Sequence, residues 1–249
     1  MTKLFSYVAG SNMYSYSNNS SDIDEKIIYI DESNYGLRNL SQIPDSSKGI
    51  VNSKYINIKN FLDLCSKSVP EFIEVLLYYK NTASIQTMTI NKDFNSIIAE
   101  LFNKKHPHFN YLRMYNAYLG CVHNLLTKRA KHYYEKNILY KYMIILTRNY
   151  VLAKSLLDLN KDIILSFPDL VHYAIKQHYL PNNFQLLVDN LNTRDISKIP
   201  FDEMLKVIKQ GASTLNFLTE NINSYDTGIL EYYTNIYKQI LAHYLVNNE

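Results

Sequence analysis

The sequence predicts an α+β protein in which a small mixed-sheet domain is followed by a helical bundle domain. Short runs of β-branched and aromatic residues alternate with polar loops before residue 60, and from Pro70 onward apolar residues recur every three or four positions. Strand signals disappear beyond Phe109. The basic, proline-containing stretch just before Phe109 therefore marks the predicted boundary between domains at 1–107 and 108–249.

Three strands are predicted in the first domain. The apolar run "KLFSYVA" (3–9) ends at Gly10, and after a polar loop at 12–21 the run "DEKIIYI" (24–30) follows. A third strand is predicted around Tyr55–Ile58, before the spacing becomes helical at Phe61. Between the second and third strands, residues 36–53 carry Gly, Pro and Ser and are predicted to form a surface loop.

The rest of the chain has the apolar spacing of helices. In the first domain this spacing predicts a helix over 70–79 that begins with a proline, and a second helix over 89–105. In the second domain it predicts five helices, which are the basis for expecting a bundle. They cover 110–134, 137–159, 168–180, 201–222 and 226–246.

Composition excludes few functions. The formal charge of +3 and the pI near 8.6 are mildly basic, which permits a polyanionic partner such as RNA without requiring one. Cys65 and Cys121 form no metal-ligand spacing or disulfide framework, as is usual in a reducing compartment. The opening apolar run is too short for a signal peptide, and no window approaches the ~20 apolar residues of a membrane span. We expect a cytoplasmic protein with no membrane partner.

Two carboxylates precede the second strand, in the stretch "GSNMYSYSNNSSDIDEKIIYI" at 10–30. Asp22 and Asp24 are two positions apart, so in a strand both side chains project from the same face. Carboxylates that close repel each other unless a cation lies between them, and an oxygen-preferring ion such as Mg²⁺ is the natural counter-charge. A solvated turn is the commoner setting for an isolated Asp-x-Asp.

Gly10 and Ser11 end the preceding strand and complete the pattern. Glycine leaves the backbone accessible, and serine adds a hydroxyl donor, so the pair suits phosphate oxygens. A bound divalent ion would bridge to the same phosphates. The combined pattern favours phosphoryl or nucleotidyl transfer, in which positioning and charge neutralisation supply most of the catalysis.

This stretch resembles the Gly-Ser to Asp-x-Asp signature of the polymerase-beta-like nucleotidyltransferase superfamily. It is most similar to the predicted nucleotidyltransferases of bacteria and phages, some of which are associated with RNA ligases. Lys26 stands where that family tends to have Arg, and Ser15 stands where it has Gly. The matching positions are Gly10, Ser11, Tyr14, Ser21, Asp22, Ile23 and Asp24.

The resemblance implies an enzyme that transfers a nucleoside monophosphate from a nucleoside triphosphate such as ATP to an acceptor hydroxyl. It implies a nucleotidyltransferase domain in the first part of the chain, with Asp22 and Asp24 as catalytic metal ligands for Mg²⁺ or Mn²⁺. Gly10, Ser11, Tyr14 and Lys26 would then contact the nucleotide. The family's association with RNA ligases suggests RNA, or a tRNA end, as the acceptor.

Weaker resemblance continues downstream. Pro70 and Glu74 match a segment of the family, although Val69 replaces an Asn, and Lys141 and Arg148 match two basic positions that imply nucleotide contacts. From the residues alone, Glu74 also suits a solvent-facing helix position. A solvated basic stripe is likewise an alternative for the two basic residues, which lie two helical turns apart.

The sequence departs from the superfamily at the third carboxylate. The next strand normally supplies it, and the corresponding position here is near Asn52, whose amide can coordinate through oxygen but carries no charge. Either Asp45 or Glu74 takes this role, or the alignment is displaced, or metal binding is weakened.

Two other functions stay open on the sequence. A toxin-like relative of the superfamily would nucleotidylate a protein side chain, so a protein acceptor is an alternative to RNA. A catalytically weakened nucleotide- or RNA-binding module is the other, suggested by Asn52. The basic cluster "TKRAKHYYEK" at 127–136 suits an RNA backbone, although such a cluster is more often solvated helix surface.

Overall fold

The structure is a computed structural model. It describes residues 1–18, 21–31, 46–48, 51–81, 88–102, 109–129, 136–158, 163–218 and 227–247. No helix in these ranges combines the length and the apolar character that crossing a membrane requires.

Residue contacts divide the chain into two compact units. The sheet unit consists of Met1–Met13, Ser21–Asn110 and Asn221–Glu249, and the helical unit consists of Tyr14–Ser20 and Tyr111–Glu220. The predicted domains were continuous stretches, whereas each unit is assembled from separate parts of the chain. The helical unit takes in a short segment from the loop after Gly10, and the sheet unit takes in the C-terminal segment.

A five-stranded mixed sheet forms the centre of the sheet unit. Its order is β3-β4-β2-β1-β5, with β4 parallel to β2 and the other neighbouring strands antiparallel. The prediction of an α+β chain with a mixed sheet is confirmed. The strands are β1 (Thr2–Ala9), β2 (Ile23–Ile30), β3 (Ser46–Lys48), β4 (Val51–Asn57) and β5 (Thr89–Ile90).

Helices account for most of the remaining described residues. The sheet unit holds α1 to α4 and the last helix, and the helical unit holds the others. They are α1 (Gly10–Met13), α2 (Ile58–Ser66), α3 (Pro70–Asn81), α4 (Asn95–Leu101), α5 (Tyr111–Asn124), α6 (Lys136–Leu157), α7 (Phe167–Lys176), α8 (Gln185–Asp189), α9 (Phe201–Ser213) and α10 (Thr227–Asn247).

Aromatic side chains join one face of the sheet to α2 and α3. Phe5 on β1 meets Phe61 on α2 edge-to-face, with ring centroids 5.5 Å apart, and Phe61 meets Phe72 on α3 at 5.6 Å. Two residues along β1, Tyr7 meets Tyr79 of α3 at 6.2 Å. Because side chains two apart on a strand share a face, these contacts define the face that the helices cover.

The strand-to-helix change after β4 occurs earlier than predicted. The Asn57 side chain accepts a hydrogen bond of 2.9 Å from the backbone N–H of Lys59, so Asn57 caps α2 and Ile58 is its first residue. The loop predicted over 36–53 also contains β3 and the first residues of β4. Its polar residues pair with a neighbouring strand, which the turn-forming composition did not indicate.

The helix predicted over 89–105 is confirmed at Asn95–Leu101, which is α4, but is wrong over 89–94, and residues 103–105 lie outside the described ranges. Thr89–Ile90 pairs with β1 as β5, and a 3-10 turn at Lys92–Phe94 precedes α4. Asn91 explains the break, because its backbone N–H donates to Leu4 O at 2.8 Å and its side-chain amide donates to Lys3 O at 3.0 Å. These bonds hold the chain against the edge of the sheet until α4 begins.

Helix α6 is the core of the helical unit. Every residue from Leu146 to Ala153 is buried, as expected of a helix enclosed around its whole circumference. Helices α5, α7 and α9 contact it. The contact with α9 is close at Gly211, where an added Cβ would overlap the Tyr150 hydroxyl.

Helices α5, α6, α7 and α9 of this unit end before their predicted limits, α5 and α9 by the most. Helix α5 ends at Asn124 and continues as a π-helical turn, Leu125–Arg129, and α9 ends at Ser213. The chain after α9 contacts α5 at Leu218. The Asn116 side chain donates to Leu218 O and accepts from Leu218 N–H, both at 3.1 Å. Such a side-chain pairing has no periodic signal in the sequence.

The contact at Gly211 generates a stability prediction. Gly211→Ala should lower the free energy of unfolding by about 1–3 kcal/mol, because the new methyl overpacks against Tyr150. In a Tyr150→Leu background the obstruction is absent, so the same change should instead stabilise the helix by about 0.5–1 kcal/mol. Urea unfolding of the four proteins measures both signs. Equal effects in the two backgrounds would contradict the contact.

Candidate functional site

The turn after β1 brings Gly10 against Asp24. Gly10 has φ +65°, a left-handed conformation that favours glycine, and it begins the short helix α1. A Cβ at Gly10 would overlap Asp24 Oδ2 and lie 3.2 Å from Asp24 Cγ. The Gly-Ser turn and the second aspartate of the Asp-x-Asp sequence are therefore in direct contact.

Asn12 ties the same turn to the other aspartate. Its side-chain amide donates a hydrogen bond of 3.1 Å to the backbone carbonyl of Asp22. This bond joins α1 to the residue just before β2, so both ends of the polar loop meet. The predicted loop at 12–21 is in part the short helix α1, which the Gly-Ser turn starts.

Strand pairing places Asn52 beside Asp24. Ala9 is the partner of Asp24 on β1, and Asn52 is its partner on β4. Partners on neighbouring strands lie about 5 Å apart and project from the same face. The expected proximity of Asn52 to the aspartates is therefore observed. Asp22, Asp24 and Asn52 are all exposed.

The next row along the strands carries two lysines. Lys26 is the partner of Tyr7 on β1 and of Lys54 on β4, so this row lies on the same face as Asp24 and Asn52, about 7 Å further along. Lys54 is exposed, whereas Lys26 is buried. Oxygen ligands for a cation and ammonium groups for an anion are thus adjacent.

Helix α3 partly covers Lys26. Its ammonium group forms an ion pair with Glu71 and lies 5.6 Å from the centre of the Phe72 ring. Burial and, to a smaller extent, the positive charge of Lys54 lower the pKa of Lys26 to about 8, although the negative charge of Asp24 partly opposes them. The pKa of Lys26 therefore reflects both its burial and its charged neighbours.

The donor set fits a hard divalent cation only in part. Among the described residues no group of three or more His, Cys, Asp or Glu side chains is placed to hold a metal ion. The candidate set is two carboxylates and the Asn52 amide, all oxygen donors of the kind that Mg²⁺ and Mn²⁺ accept. It fits these ions in donor chemistry and has one negative charge fewer than three carboxylates would give.

The two other candidates for the third carboxylate are Glu74 and Asp45, of which the structure describes only Glu74. Glu74 is 1% exposed on α3, so the solvent-facing alternative is wrong. A buried carboxylate needs partners, and Glu74 has them. Asp45 lies outside the described residues.

Three predicted nucleotide contacts belong to the helical unit. Tyr14 is in the segment that joins this unit, and Lys141 and Arg148 are on α6. Arg148 is 7% exposed and its guanidinium carbon lies 3.8 Å from the centre of the Tyr14 ring, whereas Lys141 is exposed. The two basic residues therefore do not form a solvated stripe.

The motif segment also contains a conformational feature at Ser15. Its φ of +57° is left-handed, which glycine adopts most easily, and the resembled family has glycine at this position.

The basic cluster at 127–136 is described only in part, and residues 130–135 lie outside the described ranges.

Sequence reasoning missed Asn12, Lys54 and Glu71. Lys54 could have been found, because it follows Asn52 by two positions on a strand and therefore shares its face. Asn12 and Glu71 act through contacts that depend on the turn at Gly10 and on the position of α3, and neither has a local sequence signal.

Comparison of the chain with models of known families and with characterised proteins found no match. The candidate site is therefore supported by the geometry of the described residues alone.

The contact at Gly10 generates a second prediction. Gly10→Ala should lower the free energy of unfolding by about 1–2 kcal/mol, because it adds left-handed strain, and it should displace the Asp24 carboxylate that a Cβ would overlap. It should also weaken Mg²⁺ binding, since Asp24 must move. Thermal unfolding and calorimetric titration with Mg²⁺ measure the two effects.

Gly120→Ala is the matched control. It adds the same methyl group inside α5, where the nearest atom would be a ring carbon of Phe217 at 3.9 Å, an ordinary contact. It should stabilise the protein by about 0.5–1 kcal/mol and leave Mg²⁺ binding unchanged. Similar losses in both variants would show that Gly10 has no special role.

The position of Asn52 generates a third prediction. Asn52→Asp should tighten Mg²⁺ binding by about tenfold, because it restores a third negative charge beside Asp24. Thr89→Asp, which adds the same charge on the exposed edge strand β5, should have no such effect. If Asn52→Asp changes nothing and Glu74→Gln abolishes Mg²⁺ binding, Glu74 is the third ligand.

Proposed function

We propose that the protein is an Mg²⁺- or Mn²⁺-dependent nucleotidyltransferase that transfers a nucleoside monophosphate from a nucleoside triphosphate to an acceptor hydroxyl. The observation that carries the proposal is the arrangement on one face of the sheet. Asp24 contacts Gly10 and is the strand partner of Asn52, and the next row along the strands holds Lys26 and Lys54.

The oxygen ligands supply the cation side of this chemistry. Asp22 and Asp24 would hold the ion, with the Asn52 amide as a neutral third ligand. A bound divalent ion neutralises phosphate charge and orients the triphosphate. Gly10 contributes by leaving the Asp24 carboxylate undisturbed, and Asn12 contributes by fixing the backbone at Asp22.

The two lysines supply the anion side. Lys54 is exposed and would contact the phosphates that leave, while the partly covered Lys26 keeps a positive charge close to Asp24. Placing fixed positive charges where negative charge develops is the main catalytic resource in phosphoryl transfer. The acceptor hydroxyl gives its proton to water, its oxygen forms a bond to the α-phosphorus as the bond from that phosphorus to the bridging oxygen breaks, and pyrophosphate leaves.

The acceptor that we propose is RNA, and a tRNA end is its most specific form. Its support is the resemblance of the motif segment to nucleotidyltransferases associated with RNA ligases, together with the mildly basic chain. A protein acceptor uses the same nucleotide site, so the acceptor has to be determined by experiment.

A second function has a specific observation in its favour. The amide of Asn52 occupies the strand position beside Asp24, which weakens the charge available to a metal ion. A nucleotide- or RNA-binding module with little catalytic activity would have such an amide in place of a carboxylate. Binding without transfer is its signature.

A labelling screen tests the proposal. The protein is incubated with each of the four α-labelled nucleoside triphosphates and Mg²⁺ or Mn²⁺, in the presence of total RNA or of protein lysate. Label in RNA supports the proposed acceptor, and label in protein supports the alternative enzyme. Nucleotide binding without transfer supports the binding module, and absence of both contradicts all three.

The carboxylates generate a fourth prediction. Asp22→Ala and Asp24→Ala should abolish transfer while leaving the metal-free protein as stable as the wild type or slightly more stable, because exposed like charges are removed. Triphosphate at ~100 times its dissociation constant should stabilise the wild type by about 2.7 kcal/mol, but only with a divalent ion. Thermal shift with and without chelator measures this. Loss of several kcal/mol in the metal-free variants would make the pair structural.

Lys54 generates a fifth prediction. Lys54→Gln should weaken binding of inorganic triphosphate with Mg²⁺ by about tenfold, because it removes an exposed positive charge from the phosphate row. Lys92→Gln is the control, since Lys92 is exposed and follows Asn91, which is bonded to the opposite end of β1. Equal losses in the two variants would indicate only a general effect of net charge.

A further inference from the structure

Arg148 is stacked on the segment that separates the two halves of the Gly-Ser and Asp-x-Asp motif. Its guanidinium carbon lies 3.8 Å from the centre of the Tyr14 ring, which is the distance of direct stacking. Tyr14 is in turn stacked on Tyr16, with ring centroids 6.1 Å apart and planes inclined by 13°. The residue between them, Ser15, has a left-handed φ of +57°.

The same segment is fixed by α7. The backbone N–H of Phe167 donates a hydrogen bond of 2.8 Å to Tyr14 O, and the Phe167 ring meets Tyr16 edge-to-face at 6.3 Å. Tyr16 and Phe167 are both buried. The stack therefore runs from Arg148 on α6 through the motif segment to α7, entirely within the helical unit.

The burial of Arg148 argues against a direct phosphate contact. With 7% of its surface exposed and one face of the guanidinium covered by Tyr14, it has little surface left for a triphosphate. Its charge instead strengthens the stack, because a cation is attracted to the face of an aromatic ring and more so when water is excluded.

We propose that Arg148 is a positioning residue that acts through Tyr14. It fixes the segment Tyr14–Asn18, which follows the Gly-Ser turn in the chain. The effect on the triphosphate site rests on the proposed function. The anchoring of the segment does not.

Anchoring is tested first, without any ligand. Arg148→Met and Tyr14→Leu are made singly and together, and hydrogen exchange of the amides in 14–18 is measured along with thermal unfolding. Each single change should remove protection from the segment, and the double variant should lose little more, because the two side chains form one contact. Tyr14→Phe retains the ring and should keep the protection.

The site readout uses MgATP and inorganic triphosphate with Mg²⁺. Arg148→Met and Tyr14→Leu should weaken binding of the probes equally, by about tenfold, and the double variant should be no weaker than either. Gly211→Ala is the control, since it destabilises the helical unit through Tyr150 and lies outside this stack. It should leave both affinities unchanged, and any loss of protection in 14–18 should not exceed its effect on the free energy of global unfolding.

Other results overturn the proposal. If Arg148→Met weakens binding while Tyr14→Leu does not, or if the two losses add, Arg148 contacts phosphate directly. If protection of 14–18 is unchanged in both variants, the segment is held by α7 alone. If the wild type binds neither probe, the proposed function fails, and the exchange data still decide whether Arg148 anchors the segment.

Discussion

Asp24 lies where a side chain at residue 10 would be, and the candidate site depends on this steric exclusion. The left-handed turn at Gly10 ends β1 against the first residues of β2, and the pairing of Ala9 with Asp24 sets the register between these strands. The separate pairing of β4 with β2 then places Asn52 beside Asp24. A shift of one residue would move these side chains to the opposite face.

The helices that follow β4 determine the environment of the lysine row. The Asn57 cap starts α2 immediately after the strand, and the aromatic contacts of α2 and α3 seat them on one face of the sheet. The first turn of α3 therefore covers Lys26 with Glu71 and Phe72, while Lys54 stays exposed. Two lysines in one row acquire different properties because only one of them lies under a helix.

The features that could be predicted depend on residues that are near one another in the sequence. The apolar run at 24–30 indicated a strand and the spacing in α3 indicated a helix. Asp22 and Asp24 could be identified as candidates because they are two positions apart in the sequence. The β5 edge, the short helix α1 and the stack of Arg148 on Tyr14 depend on contacts between distant residues, which leave no periodic signal. The alignment could place Asn52 near the aspartates, but only the strand order shows that it is the neighbour of Asp24.

The charges on this face give a physical reason for an amide at residue 52. Asp22, Asp24 and Glu71 carry three negative charges against the two positive charges of Lys26 and Lys54, so a further carboxylate would add to an existing excess of negative charge. A carboxylate at residue 52 would lie about 7 Å from Lys54 along the same face of β4 and would reduce its attraction for an anion. With asparagine there, the exposed Lys54 keeps its full attraction for phosphate, while the cation side loses one ligand charge. Compared with a carboxylate at residue 52, the amide therefore strengthens the attraction of this face for an anion and weakens its attraction for a cation.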